Sequence, residues 1–242
     1  MINLEGIKCI LFDLDNTLWD FDGNAEIALS QLYISHGLEN LTGKPDSVFI
    51  ETYAKVNASY WRKYEKGEID KERLRTQRFI DSLSQLGLPE ELQPKGLWKE
   101  YLEICPTIPN LIPGAINVLA RLKEHFKIGL LTNGFEETQK RKIKYSGIDQ
   151  HIHFMLSSEK FGSPKPAKGI FDEAMKIAKI KHEECIYIGD NRETDVLGGL
   201  GAGIKTAWFK HSNDPEVKHP LFLGEFAILE DFADFILNSQ KR

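Results

Sequence analysis

The sequence predicts an α/β fold, a doubly wound parallel sheet interrupted once by a helical insertion. Three observations carry this. Ile7, Cys9, Ile10, Leu11 and Phe12 form an apolar run that is too short for a core helix and stops at two carboxylates, Asp13 and Asp15. A buried parallel strand reads this way. From Lys127 onward, short apolar runs alternate with amphipathic stretches, the pattern of strand–helix repeats around a parallel sheet. Between these regions, residues 21–105 show helical periodicity almost throughout and no convincing strand.

Taken in order, the first strand ends in turn-forming residues, and open α/β sheets bind ligands just outside the carboxyl ends of their strands. In the insertion, Ile27, Leu29, Leu32 and Tyr33, then Tyr53, Val56, Tyr60, Trp61 and Tyr64, recur at helical spacing. Breaks at Gly37, Gly43 to Pro45, Gly67 and Gly87 to Pro89 divide it into about four helices. Pro106, Pro109 and Pro113 mark a stiff return crossing suited to a hinge, and a helix begins near Gly114. Strands are then expected at Lys127–Thr132, 153–156, Cys185–Gly189 and Lys205–Phe209, with helices at about Glu136–Ser146, 167–179 and 194–201. Gly147 stops the first of these helices, and Pro166 starts the second where a missing N–H is harmless. The expected division is a core of residues 1–20 and 106–242 and a helical cap of residues 21–105.

At 242 residues the chain can bury its own core without covalent staples. A hydrophobic content of 41% and a charged content of 28% are those of a soluble globular protein. The net charge of −5 gives no general attraction to nucleic acid or to an anionic membrane, so neither is an expected partner. Any bound phosphate must therefore be held by a local site. Cys9, Cys105 and Cys185 have no CxxC spacing and read as buried thiols in a reducing compartment. The first residues lack a secretory apolar region, and no apolar run approaches the roughly 20 residues of a membrane span. The cytoplasm is the expected location.

Four short motifs follow one another: Asp13-Leu14-Asp15-Asn16-Thr17, Leu130-Leu131-Thr132-Asn133-Gly134, Lys165-Pro166, and Gly189-Asp190 with Asp195 five residues after that aspartate. Each alone is an ordinary turn or a solvated loop charge. In this order, at strand ends and in loops, they resemble the haloacid dehalogenase superfamily, and the resemblance covers nearly the whole chain. It implies a Rossmann-like core and phosphate ester chemistry.

By that resemblance Asp13 is the nucleophile. A carboxylate can attack phosphorus only if the phosphate charge is neutralised. Lys165 and a magnesium ion would do so, the ion held by Asp13, Asp190 and the backbone carbonyl of Asp15. Asp195 would hold Lys165 or a metal-bound water. Thr132, with the backbone N–H groups of Asn133 and Gly134, would donate hydrogen bonds to the phosphoryl oxygens. Lys160 and Lys168 are rivals to Lys165 by composition, but only Lys165 matches the Lys-Pro pattern. Asp15 would protonate the leaving alcohol and then activate water, its proton kept by crowding against Asp13 and Asp190. Ion pumps of the superfamily carry threonine there and its true dehalogenases lack the aspartate, so Asp15 argues for phosphate esters.

Within the superfamily the chain is most similar to the cytosolic pyrimidine 5'-nucleotidases. The residues behind this are Trp19-Asp20-Phe21, the stretch 61–69, Arg78-Phe79 and Thr132-Asn133-Gly134-Phe135. The expected substrate is a small phosphomonoester, first a nucleoside 5'-monophosphate and second a sugar phosphate. A phosphomutase would share all four motifs but retain its aspartyl-phosphate against water. A non-catalytic phosphoprotein-binding module would be expected to have lost Asp13 or Asp15.

Other features have structural readings. His151 and His153 would share a strand face but have no third metal ligand. Gly198, Gly199, Gly201 and Gly203 lack the lysine and hydroxyl of a phosphate loop and suit close helix packing. Tyr60, Trp61 and Tyr64 read first as core of the cap and second as a stacking surface for a nucleobase. Lys71, Arg73, Arg75 and Arg78 read first as a solvated helix face and second as a group from which one arginine reaches into the cleft.

Overall fold

The computed structural model describes residues 4–209 and 215–239. The chain divides into two compact units, one of residues 1–21 and 109–242 and one of residues 22–108.

The first unit is built on six strands: β1 (Cys9–Phe12), β2 (Lys127–Thr132), β3 (Phe154–Ser157), β4 (Cys185–Gly189), β5 (Lys205–Phe209) and β6 (Phe222–Phe226). They form one all-parallel sheet in the order β3-β2-β1-β4-β5-β6. β1, β4 and β5 are apolar along most of their length because both faces are covered. Since β1 pairs with β2 on one side and β4 on the other, the chain leaves it in opposite directions, and a crevice opens at its carboxyl end. The doubly wound architecture expected from the sequence is the one observed.

The second unit is helical. Its elements are α1 (Phe21–Ser35), α2 (Leu38–Thr42), α3 (Asp46–Glu65), α4 (Lys71–Gln85) and α5 (Leu97–Ile104), followed by a 3-10 turn at Cys105–Thr107. Breaks fall at Gly37 and Gly43, both in the left-handed conformation. Its core is a run of rings: Tyr33 stacks on Phe49 at 5.3 Å, and Tyr53 meets Phe79 at 4.9 Å and Tyr101 at 5.7 Å between centroids.

Arg78 corrects the reading of the basic group as a solvated face. It is buried in this aromatic core, donating from Nη1 to Asn57 Oδ1 at 2.7 Å, with its guanidinium 5.4 to 5.6 Å from the Tyr53, Phe79 and Tyr101 ring centroids. The inward face of α4 runs through Leu74, Arg78 and Ser82 at intervals of four, so helical geometry turns Arg78 inward whatever its charge. Ring faces and an amide oxygen replace the lost water.

The remaining helices flank the sheet: α6 (Ala115–Lys123), α7 (Glu136–Ser146), α8 (Ser158–Phe161), α9 (Lys168–Ala178), α10 (Gly198–Gly201) and α11 (Leu229–Ser239). Three boundaries differ from expectation. β3 starts after His153, whose Nδ1 accepts the Ile128 N–H at 2.9 Å, while His151 lies in a 3-10 turn, so the two do not share a strand face. α9 starts at Lys168 with Ala167 as its cap, which places Pro166 before the cap and outside the first turn. The helix expected at 194–201 is a π-helical turn, Arg192–Leu197, followed by α10. The π turn arises because the Val196 N–H reaches back five residues to Asn191 O at 3.1 Å, while the Asn191 side chain accepts from the Glu193 and Thr194 N–H groups.

Beyond the elements read from the sequence lie α8, β6 and α11. β6 is a half-buried edge strand, and α11 packs on α6 and sets Phe232 edge-on against Phe12 at 6.1 Å. Of the four glycines read as packing residues, Gly198 and Gly199 act so, since a Cβ on Gly199 would lie 2.5 Å from Thr206 Oγ1 and 3.0 Å from Tyr187 Cδ1 and one on Gly198 3.0 Å from Pro166 Cβ, whereas a Cβ on Gly201 or Gly203 would meet nothing within 4 Å.

Candidate active site

The carboxyl ends of β1, β2 and β4 bring the motif residues together. Asp13 follows β1 and is tied to β4 by its N–H on Ile188 O at 2.9 Å. Asp190 follows β4 and Thr132 ends β2. Lys165 reaches in from the loop before α9 and is 2% exposed. Its ammonium lies 2.6 Å from Asp13 Oδ1, 2.6 Å from Asp195 Oδ1, 2.9 Å from Tyr187 Oη and 3.0 Å from Leu131 O. The rival lysines are engaged elsewhere or exposed: Lys168 pairs with Asp172 at 2.6 Å, and Lys160 is exposed.

Asp195 is shaped by its surroundings. Tyr187 donates to its Oδ1 at 2.6 Å and the Asn191 N–H to its Oδ2 at 3.0 Å. Gly189 makes room for it, since a Cβ there would sit 2.5 Å from the Asp195 carboxyl carbon. The π turn that carries Asp195 thus aims it at Lys165.

Carboxylate oxygens of Asp13, Asp190 and Asp195 lie within 4.8 Å of one another. Burial, with the charges of Asp195 and Asp15 added, pushes the Asp13 carboxyl up to about 7 against the lowering pull of Lys165. Burial and the neighbouring Asp13 and Asp195 push Asp190 up to about 9. Burial opposes the charge on Lys165, but the Asp13 and Asp195 carboxylates win and hold it protonated. Three acids facing one ammonium leave the site short of positive charge. A hard divalent cation with oxygen ligands meets that deficit, and the donor set, all oxygen, fits one. The acids available to it are Asp13 and Asp190, because the oxygens of Asp195 already accept from Lys165, Tyr187 and Asn191.

Thr132 is buried, and its Oγ1 accepts from the Gly134 N–H at 3.1 Å and from Gln139 Nε2 at 2.7 Å. With both lone pairs occupied, its O–H is the group left to donate. One expectation changes here. The Gly134 N–H is turned onto Thr132 by the tight Asn133-Gly134 turn. The Asn133 side chain clamps the Lys165 backbone, its Oδ1 accepting the Lys165 N–H at 2.8 Å and its Nδ2 donating to Lys165 O at 3.1 Å.

Asp15 is not surrounded by carboxylates alone. Its Oδ1 lies 2.6 Å from Lys142 Nζ and its Oδ2 accepts from Gln139 Nε2 at 2.9 Å. Sequence reasoning missed Gln139, Lys142 and Tyr187. The available signal for the first two was their spacing of three on the helix after Thr132-Asn133-Gly134, which puts both on one face. Tyr187 had only its hydroxyl in an apolar strand.

A central parallel strand ending in paired acids, a buried lysine and a threonine hydroxyl define a phosphate-handling hydrolase site. The chain belongs to the haloacid dehalogenase-like hydrolases, whose family pattern matches residues 7–203. It is 30% identical to pyrimidine 5'-nucleotidase YjjG of Escherichia coli over 86% of this chain and 88% of that one. It is also 30% identical to the glyceraldehyde 3-phosphate phosphatase of Pyrococcus furiosus, over 97% of this chain and 90% of that one. The solved structure of the HAD-hydrolase YfnB from Bacillus subtilis, bound to magnesium, superposes with a TM-score of 0.81 at 27% identity, covering 97% of this chain and 100% of that one. The family resemblance and the phosphatase class expected from the four motifs agree with these relatives.

Among the described residues, no helix is long and apolar enough to cross a membrane.

Proposed function

We propose that the protein is a magnesium-dependent phosphomonoester hydrolase acting on nucleoside 5'-monophosphates through an aspartyl-phosphate. The observation that supports this is the Asp13–Lys165–Asp195 arrangement with Asp190 beside it at the end of the central strand. Asp13 and Asp190, with the backbone carbonyl of Asp15, would hold the magnesium ion, which when bound adds positive charge beside the phosphate. Lys165 neutralises phosphate charge, and the Thr132 hydroxyl donates to a phosphoryl oxygen. An Asp13 oxygen bonds to phosphorus as the ester P–O bond breaks, and Asp15, entering the step with a proton taken from solvent, passes that proton to the departing alkoxide. Asp15 then takes a proton from water as that water attacks phosphorus, releasing inorganic phosphate and regenerating Asp13.

A second reading, a phosphatase of small sugar phosphates, is favoured by the identity to the glyceraldehyde 3-phosphate phosphatase over 97% of the chain. Phosphate release from a panel of nucleotides and sugar phosphates tests both. Release from nucleoside monophosphates first supports the nucleotidase. Release from triose phosphates alone supports the second reading, and release from no ester refutes both. Excess chelator is expected to abolish turnover and magnesium to restore it, with calcium inhibiting because its larger, more variable coordination misplaces the phosphate. Full activity in chelator refutes the metal role of Asp13 and Asp190.

The helical unit is proposed to act as a cap that selects the alcohol portion of the substrate. Within it Tyr60 is buried with its hydroxyl on Asp81 Oδ2 at 2.6 Å, a core role. Trp61 is half-buried, edge-on to Tyr64 at 5.8 Å, and is the ring proposed to stack a base. Trp61→Ala is expected to lower kcat/KM for a pyrimidine nucleoside monophosphate about tenfold more than for p-nitrophenyl phosphate. Equal losses with a lower unfolding midpoint would make Trp61 a core residue instead.

A further inference from the structure

We propose that Lys142 and Gln139 are positioning residues that hold the Asp15 carboxylate in its acid–base geometry and link it to Thr132. The inference rests on the reading of Asp15 as the group that moves the proton.

Asp15 lies in the loop after β1, and its side chain is 29% exposed. A carboxylate there, left to itself, would sample several rotamers. Instead each oxygen has its own donor from α7: Lys142 Nζ on Oδ1 at 2.6 Å and Gln139 Nε2 on Oδ2 at 2.9 Å. Two donors on two oxygens fix both the direction and the plane of the carboxylate.

Neither donor is an ordinary surface residue. Lys142 is 4% exposed, and its ammonium sits 4.4 Å from the centroid of the Trp19 ring and 5.3 Å from that of Phe21. These rings exclude water and stabilise the charge, so its attraction for Asp15 is screened little. Gln139 is fully buried, and the same Nε2 that reaches Asp15 also donates to Thr132 Oγ1 at 2.7 Å. Gly134 is what admits that amide, since a Cβ there would lie 2.1 Å from Gln139 Nε2. One amide therefore spans the proton-transfer group and the phosphoryl-binding hydroxyl, and sets the distance between them. A carboxylate that must reach first the leaving oxygen and then a water gains from such restraint, because small misplacements of a reacting group cost about a hundredfold in rate.

The test compares Lys142→Met, Lys142→Arg and Gln139→Leu with wild type, each alone and with Asp15→Asn, using kcat/KM for uridine monophosphate and for p-nitrophenyl phosphate. A positioning role predicts that Lys142→Met and Gln139→Leu each lose about a hundredfold on the alkyl ester and less than tenfold on the aryl ester, whose leaving group needs little protonation. Lys142→Arg should recover part of the loss. In the Asp15→Asn background Lys142→Met should cost little more, because the group it positions is already absent, while Gln139→Leu should keep only the part of its loss that comes from Thr132 and falls equally on both esters. Equal losses on both substrates in the Asp15 background, or a Lys142→Met loss that multiplies in the Asp15→Asn background, overturn the proposal. If Asp15→Asn itself loses equally on both esters, the reading of Asp15 fails first. Unfolding midpoints identify a variant that has failed to fold, and the other two then carry the test.

Discussion

Asp13→Asn is expected to lower kcat by several powers of ten, because an amide cannot form the covalent bond to phosphorus on which the proposed reaction depends. The change is nearly isosteric, and Lys165 keeps Asp195 at 2.6 Å. Loss of activity should not come from loss of fold. In the folded protein burial raises Asp13 from an ordinary value of 3.8 to about 7. A carboxyl raised in this way supports the fold while it is protonated, and that support is lost as the pH rises through about 7. The uncharged amide does not suffer this loss. In chelator at pH 8, Asp13→Asn should therefore unfold at a midpoint no lower than wild type. More than about a tenth of wild-type activity would sink the nucleophile assignment, since removing a covalent step costs far more than tenfold.

Asp15→Asn should behave differently. The nucleophile, Lys165 and the acidic cluster stay in place, and what disappears is the proton donor and acceptor. The kcat/KM for a nucleoside monophosphate is expected to fall by about a thousandfold, and that for p-nitrophenyl phosphate much less, since general acid–base catalysis contributes about 10²–10⁴-fold and nitrophenolate leaves unaided. The kcat for both esters should also fall, because hydrolysis of the aspartyl-phosphate needs a base whatever group has left. Equal losses in kcat/KM on the two esters would argue against Asp15 as the acid.

Much of the core was legible along the chain. β2, β4, β5 and α7 have the bounds expected from apolar runs and from the Gly147 stop. A strand covered on both faces must be apolar throughout, which marks it against its surroundings. β6 escaped because it is a half-exposed edge strand interrupted by Gly224 and Glu225. Its register against β5 also shifts at Thr206 and Ala207. The periodicity of α11, with Leu229, Phe232, Ala233 and Ile236 inward, is regular, yet nothing in the sequence says that this face meets Phe12. Arg78 was misread because a charge on a helix is solvated unless the helix turns it inward.

For the candidate site, the sequence alone determined which residue types could take part and where along the chain each stands, since carboxylates at strand ends, a proline-flanked lysine and a Thr-Asn-Gly turn are local features. Only the tertiary structure decided the partners. Gln139 and Lys142 stand among Lys140, Arg141 and Lys144 on what looks like a basic, solvated helix, and both turn out to be buried. They meet Asp15 across 124 and 127 residues of chain, at 2.9 and 2.6 Å. That meeting depends on the parallel pairing of β1 with β2, which aligns the ends of the two strands, and on the packing of α7, which chooses the face turned inward. Hydrogen bonds between residues so far apart follow from sheet register and helix packing, which no local pattern encodes.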